Sequence, residues 1–220
     1  MPVRELACLR LKNGQPITAP ANEDTLRKLR EGIPEQARYT NAPTHVLSQI
    51  EDPSLFYISG KWESVSRHVD EWIPSETNQA IMGGLAADVD LVFLEHLDIP
   101  SSDATGNQEE RPLKADVVAI GRYFVSDGDK EAFQRTFYET KHHLEEFNGG
   151  KGIWGAWRED KEVGEEGDSK EEFVLFSGWE NVEKHMKFAE SEGFKEFARI
   201  KAFLQGAEIR HATLVFSEHP

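Results

Sequence analysis

Trp62-Glu63-Ser64-Val65-Ser66-Arg67-His68 returns 117 residues later as Trp179-Glu180-Asn181-Val182-Glu183-Lys184-His185, four identities in seven. Further along each copy, Leu91-Val92-Phe93-Leu94-Glu95-His96 is echoed by Leu214-Val215-Phe216-Ser217-Glu218-His219. Ahead of the motif, the strand-like run Phe56–Ser59 matches Phe173–Phe176. Three matches in the same order mark an internal duplication.

Working outward from the motif gives the order of elements. Glu5–Leu11 and Asp116–Val125 read as opening strands, each followed by a helix with an acidic start. Asn22 or Asp24 opens the first helix and Asp127 or Asp129 the second. Phe133, Phe137 and Leu144 recur at helical spacing. Hairpins follow, Thr44–Ile50 with Leu55–Ser59 and Ile153–Arg158 with Glu172–Ser177. Ser64 and Asn181 cap a short helix, and Asp90–His96 and Ala212–Ser217 close the copies. The fold class is therefore α+β, two tandem ferredoxin-like βαββαβ repeats. The repeats are expected over 1–97 and 114–220, with 98–113 as a Pro-, Ser-, Asp- and Gly-rich linker. Glu159–Glu172, crowded with acids, reads as a solvated hairpin loop.

Composition narrows the function classes. Hydrophobic residues at 38 % and charged residues at 30 % suit a folded globular chain. A formal net charge of −15 opposes binding to nucleic acid or to an anionic membrane surface. The lone Cys8 excludes an internal disulfide and fits a reducing, cytoplasmic setting. No apolar run approaches the ~20 residues of a membrane helix. Gly149-Gly150-Lys151-Gly152 lacks the ending of a phosphate-binding loop, and Gly-x-Ser-x-Gly is absent. His142-His143, with Glu139 and Glu146 nearby, lacks the His-Glu-x-x-His pattern of a zinc helix and reads as charged surface.

The segment Ser177–Phe197, with Gly178, Trp179, Glu180, His185, Glu192, Phe194 and Phe197 in place, resembles the dimeric α+β barrel superfamily. Within it the likeness is to antibiotic-biosynthesis-monooxygenase-like and stress-responsive A/B-barrel domains. The first copy departs from the pattern, with Lys61 where the second has Gly178 and with Pro74 interrupting its helix. The resemblance implies an intramolecular barrel from the two repeats, and hence a monomer. It also implies a pocket between helices and sheet for a small aromatic or polyketide-like metabolite. The expected chemistry is cofactor-free: monooxygenation, or acid–base cyclisation, decarboxylation or isomerisation. A non-catalytic small-molecule-binding or stress-response protein is the alternative. A haem-binding protein is a further one, because fused ferredoxin-like chains also occur among chlorite-dismutase-like proteins.

Candidate residues follow from the motif. Val65, Val69 and Trp72, and Val182, Met186 and Ala189, form the expected inward stripes, with His68 and His185 at their edges. A histidine, with an ordinary pKa near ~6.5, moves protons at neutral pH, so His185 and His68 are the catalytic candidates. Trp179, Trp154, Trp157, Trp62 and Trp72 offer flat apolar walls, and Tyr123 joins them as a substrate-binding candidate. The second copy, with its Gly178 and uninterrupted helix, is expected to hold the better pocket, with Trp179 and Trp154 in its walls. Neighbouring strand residues face opposite ways, so Glu95 with His96, or Glu218 with His219, cannot share one pocket.

Overall fold

A computed structural model describes residues 1–100, 108–160 and 171–220. Much of the expected linker, 98–113, and most of the acidic stretch, 159–172, lie outside the described residues. The chain divides into two compact units, Met1–Ile99 with Ala212–Pro220, and Pro100–His211.

In the first unit, β1 (Val3–Leu11) leads to α1 (Glu23–Thr40), then to β2 (Thr44–Gln49) and β3 (Leu55–Trp62). A π-wound turn (Arg67–Trp72), α2 (Glu76–Leu85) and β4 (Val89–Asp98) follow. The strands lie in the order β4-β1-β3-β2. The second unit runs β5 (Val117–Val125), α3 (Lys130–Phe147), β6 (Ile153–Trp157), β7 (Glu171–Trp179), α4 (Val182–Phe188), α5 (Glu192–Phe197) and β8 (Leu204–Glu218). Its order, β8-β5-β7-β6, is the same. Each is a ferredoxin-like α+β unit built on antiparallel pairs. The last strand is far longer than expected. Its end, Ala212–Glu218, pairs with β2, from Gln49 opposite Ala212 to Thr44 opposite Glu218, which is why the chain's tail belongs to the first unit.

β1, β5 and β7 are buried along nearly their whole length, and β5 and β7 are rich in β-branched and aromatic residues. In the second unit α3 drops Phe133, Phe137 and Leu144 onto Phe173 and Leu175, with the Phe133 and Phe173 rings 5.1 Å apart and edge to face. In the first, Leu29 and Ile33 of α1 cover Val46, Phe56 and Ile58.

The expected helical stripes are corrected here. Val69 and Met186 are exposed, while His68 and Trp72 in one unit and Phe188 in the other are buried. After the first motif the backbone follows a π-type winding: the Ile73 N–H bonds to the carbonyl of His68, five residues back. That changes the angular spacing, so a 3.6-residue stripe does not apply. The contrast expected from Pro74 also fails. The helix of the second unit breaks too, between Phe188 and Ser191, and Ser191 caps a new one by accepting from the Phe194 N–H at 3.1 Å. Ser75 does the same for α2 through the Asn78 N–H at 3.2 Å.

Candidate active site

The motif tryptophan closes a strand, and the helical segment after it carries the motif histidine back over the indole. In the second unit Asn181 caps α4 through the Lys184 N–H at 2.7 Å, which fixes where the helix starts. His185, one turn on, then lies over Trp179 with ring centroids 4.5 Å apart and planes at 26°. In the first unit Ser64 accepts from the Arg67 N–H, and His68 stacks on Trp62 at 4.0 Å and 9°.

Each histidine then meets a second one. Nδ1 of His185 lies 2.7 Å from Nε2 of His211 on β8, and Nδ1 of His68 lies 2.7 Å from Nε2 of His96 on β4. Neither partner was a candidate from sequence. The repeated strand segment matched His96 with His219, which sits exposed near the chain end, whereas the structural counterpart of His96 is the buried His211. The signal was obscured because the tail of β8 repeats the β4 sequence while pairing with β2.

The surroundings of the two pairs differ. In the first unit Glu5, on β1, is buried against the pair. Its carboxylate accepts from the Trp62 indole N–H at 2.8 Å and from the Gln36 amide at 2.7 Å. Burial pushes this carboxyl up to about 6, against the opposing pull of Trp62, His96, Gln36 and Arg4. Among the described residues of the second unit no carboxylate takes that place. Val117 stands opposite Trp179 as Val3 stands opposite Trp62, so the residue matching Glu5 is Ala119. The Trp179 N–H donates instead to the Ser177 hydroxyl at 2.9 Å.

The vacated volume is a cavity of about 50 Å³ between sheet and helices. Ala119, Tyr123, Ser177 and His185 line it, together with apolar side chains such as Leu175 and Phe188. Tyr123 is buried, and burial alone pushes its phenol up to about 12, so it is a proton-bearing donor at neutral pH. The Tyr123 ring folds back over Gly121, where a Cβ would come within 2.9 Å of it.

Of the residues expected from sequence, His185 and Tyr123 meet at this cavity, with Trp179 behind the imidazole. Trp154 does not. It borders a separate hollow of about 190 Å³ with Tyr138, Lys141 and Glu145. Trp157 is core, packed on Phe133 and donating its N–H to Gln134 at 3.1 Å. Trp62 and Trp72 form a buried cluster with Val3, and His68 joins it through the Trp62 face.

No family model and no curated protein matches the chain. Solved structures do. A protein of Lactobacillus acidophilus NCFM named as a candidate monooxygenase is similar at TM-score 0.61 and 10 % identity, covering 99 % of this chain and 96 % of its own. A candidate chlorite dismutase gives TM-score 0.61 at 14 % identity, covering 98 % and 95 %. A heme-binding protein of Thermus thermophilus gives 0.57 at 10 % identity, covering 97 % and 91 %. At such identities the likeness concerns the fold. It overturns the family resemblance drawn from Ser177–Phe197: the structural neighbours include chlorite-dismutase-like and haem-binding proteins beside the monooxygenase-named ones, and do not show a tandem antibiotic-biosynthesis-monooxygenase-like barrel. The motif misled because a capped helix start carrying a histidine back over a strand-end tryptophan is a local device, which a ferredoxin-like unit of either kind can use.

The haem suggested by such neighbours can be tested against these side chains. A porphyrin needs a pocket in the several-hundred-Å³ class. The cavity beside His185 has room for only a few waters, at about 10–15 Å³ each. The residues around the His185 cavity, as arranged, do not fit the group. No helix among the described residues is long and apolar enough to cross a membrane.

Proposed function

We propose that the chain is an oxidative or acid–base enzyme acting on a small metabolite, with its working site in the second unit. The observation that carries this reading is the His185–His211 hydrogen bond beside a cavity that also holds a buried phenol. His185 is the general base. The 2.7 Å contact of its Nδ1 with His211 holds the ring plane, and the Trp179 face holds the imidazole against rotation. Neutral, the two rings hold two protons. A third, taken from the substrate onto His185, gives the pair one positive charge, which the 2.7 Å hydrogen bond to His211 helps to bear.

The anion left by proton removal is electron-rich. Tyr123 and Ser177 are placed to donate hydrogen bonds to an oxygen that gains charge. Such an anion can react with dioxygen or close a ring, the cofactor-free chemistry expected from the sequence. The monooxygenase name borne by one neighbour agrees with the first route. Because the cavity is small, only one end of an aromatic or polyketide-like substrate would occupy it. The duplication is read as two repeats, 1–97 and 114–220, joined at 98–113.

Oxygen consumption and product formation over a panel of small phenols and 1,3-dicarbonyl compounds test this. On an accepted substrate, His185→Ala should lower turnover by ~10²–10⁴-fold with the fold intact. Unchanged turnover would refute the reading.

A further inference from the structure

The first unit fills with its own side chain the position that the second leaves open. Glu5 brings a carboxylate to the Trp62 indole N–H, beside the His68–His96 pair. Ala119 stands at the same register beside Trp179 and the His185–His211 pair, and the space its short side chain leaves is the cavity. Opposite it, Gly60 of the first unit gives way to Ser177. A Cβ on Gly60 would come within 2.7 Å of Gln36 Nε2 and 3.4 Å of Glu5 Oε2, so the glycine there makes room for the carboxylate and its donor. Ser177, already accepting from Trp179, has its own O–H to give, and the buried Tyr123 lines the same cavity with a second hydroxyl.

We infer that this cavity is a subsite for the carboxylate of a small organic acid, seated where Glu5 sits in the first unit. The inference rests on the reading of the second unit as the working site and names the class of substrate that site takes. Three features point the same way. The wall offers donors, Ser177 and Tyr123, and no carboxylate of its own. A volume of about 50 Å³ suits a carboxylate with one or two carbons. The same Trp–His–His frame already holds a carboxylate in the other unit. The acidity of the chain as a whole does not oppose this. Charges beyond about 10 Å are screened at ordinary salt, and the lining, otherwise mostly apolar, includes the two hydroxyls of Ser177 and Tyr123.

The probe is acetate, with acetamide as its uncharged isostere, titrated into the full chain while the imidazole nitrogen signals of His185 and His211 are followed by NMR. Acetate should shift both signals saturably, and acetamide should bind at least tenfold more weakly. Ala119→Glu, which supplies an internal carboxylate as Glu5 does, should abolish the shifts. If that variant does not fold, Ser177→Ala and Tyr123→Phe should each weaken acetate about tenfold. Glu5→Ala should add a second acetate response at His68 and His96. Equal binding of the two probes, no response to acetate, or a folded Ala119→Glu variant that still binds it would overturn the inference. Those outcomes leave the proton-transfer reading standing if His185→Ala still loses turnover. Retained turnover in His185→Ala refutes that reading whatever acetate does.

Discussion

Nδ1 of His185 lies 2.7 Å from Nε2 of His211, with the two rings nearly edge to face at 69°. The contact makes His211 a positioning residue, since His185 lines the cavity and His211 acts through it. His211→Phe should lower turnover by ~10–100-fold, the worth of one hydrogen bond to a charged group at about 1.5–3 kcal/mol. His211→Gln, which keeps an acceptor, should recover part of the loss. The pH–rate profile should shift in His211→Phe, a change that a packing defect alone would not produce. An unshifted profile with equal losses in both variants would remove His211 from the relay.

Glu5 makes stability depend on pH. Its carboxyl titrates near about 6 in the folded chain against an ordinary 4.5. A raised acid binds its proton more tightly when folded, so its contribution is full below about 4.5 and is lost as pH rises through about 6. The loss amounts to about 2 kcal/mol by pH 7. Glu5→Gln, which keeps the shape without the charge, should not show that fall. Urea melts of both proteins at pH 4 and pH 7 measure the difference, and parallel profiles would contradict it.

Haem supplies a third test. The cavity beside His185 is too small for a porphyrin, so hemin titrated into the protein should give no Soret shift that depends on His185. Any weak binding should be the same in His185→Ala. A stoichiometric Soret band lost in that variant would reinstate the haem reading.

Gly178 stands where a Cβ would meet the Lys151 carbonyl oxygen and the Ala115 Cβ, each at 2.8 Å. Backbone cannot step aside as a side-chain tip can. Gly178→Ala should therefore destabilise the second unit by about 1–3 kcal/mol, read as a lowered Tm. An unchanged Tm would show that β7 relaxes at this point.

The sequence carried much of this architecture and less of the site. The repeat around Trp62 and Trp179 marks where β3 and β7 end and the next helical segment begins, because strand, cap and helix start are encoded within a few residues. It also singled out His68 and His185, though as edge residues of a stripe rather than as partners of an indole. In the first unit the stripe failed where the backbone winds into a π-turn, since spacing rules assume a regular helix, and in the second the short α4 buries Phe188 rather than Met186. His211 was hidden because the strand repeat aligned His96 with His219, and only the pairing of β8 with β2 shows why that alignment slips. The Glu5–Ala119 difference was present in the sequence, but it has meaning only once the register against Trp62 and Trp179 is known.

The most direct measurement compares kcat/KM for wild type, His185→Ala and His68→Ala on one accepted substrate. The second unit has the cavity, and the first has Glu5 in its place. His185→Ala is therefore expected to fall by ~10²–10⁴-fold, while His68→Ala stays within about tenfold of wild type. Equal losses, or the larger loss in His68→Ala, would contradict the assignment of the working site to the second unit.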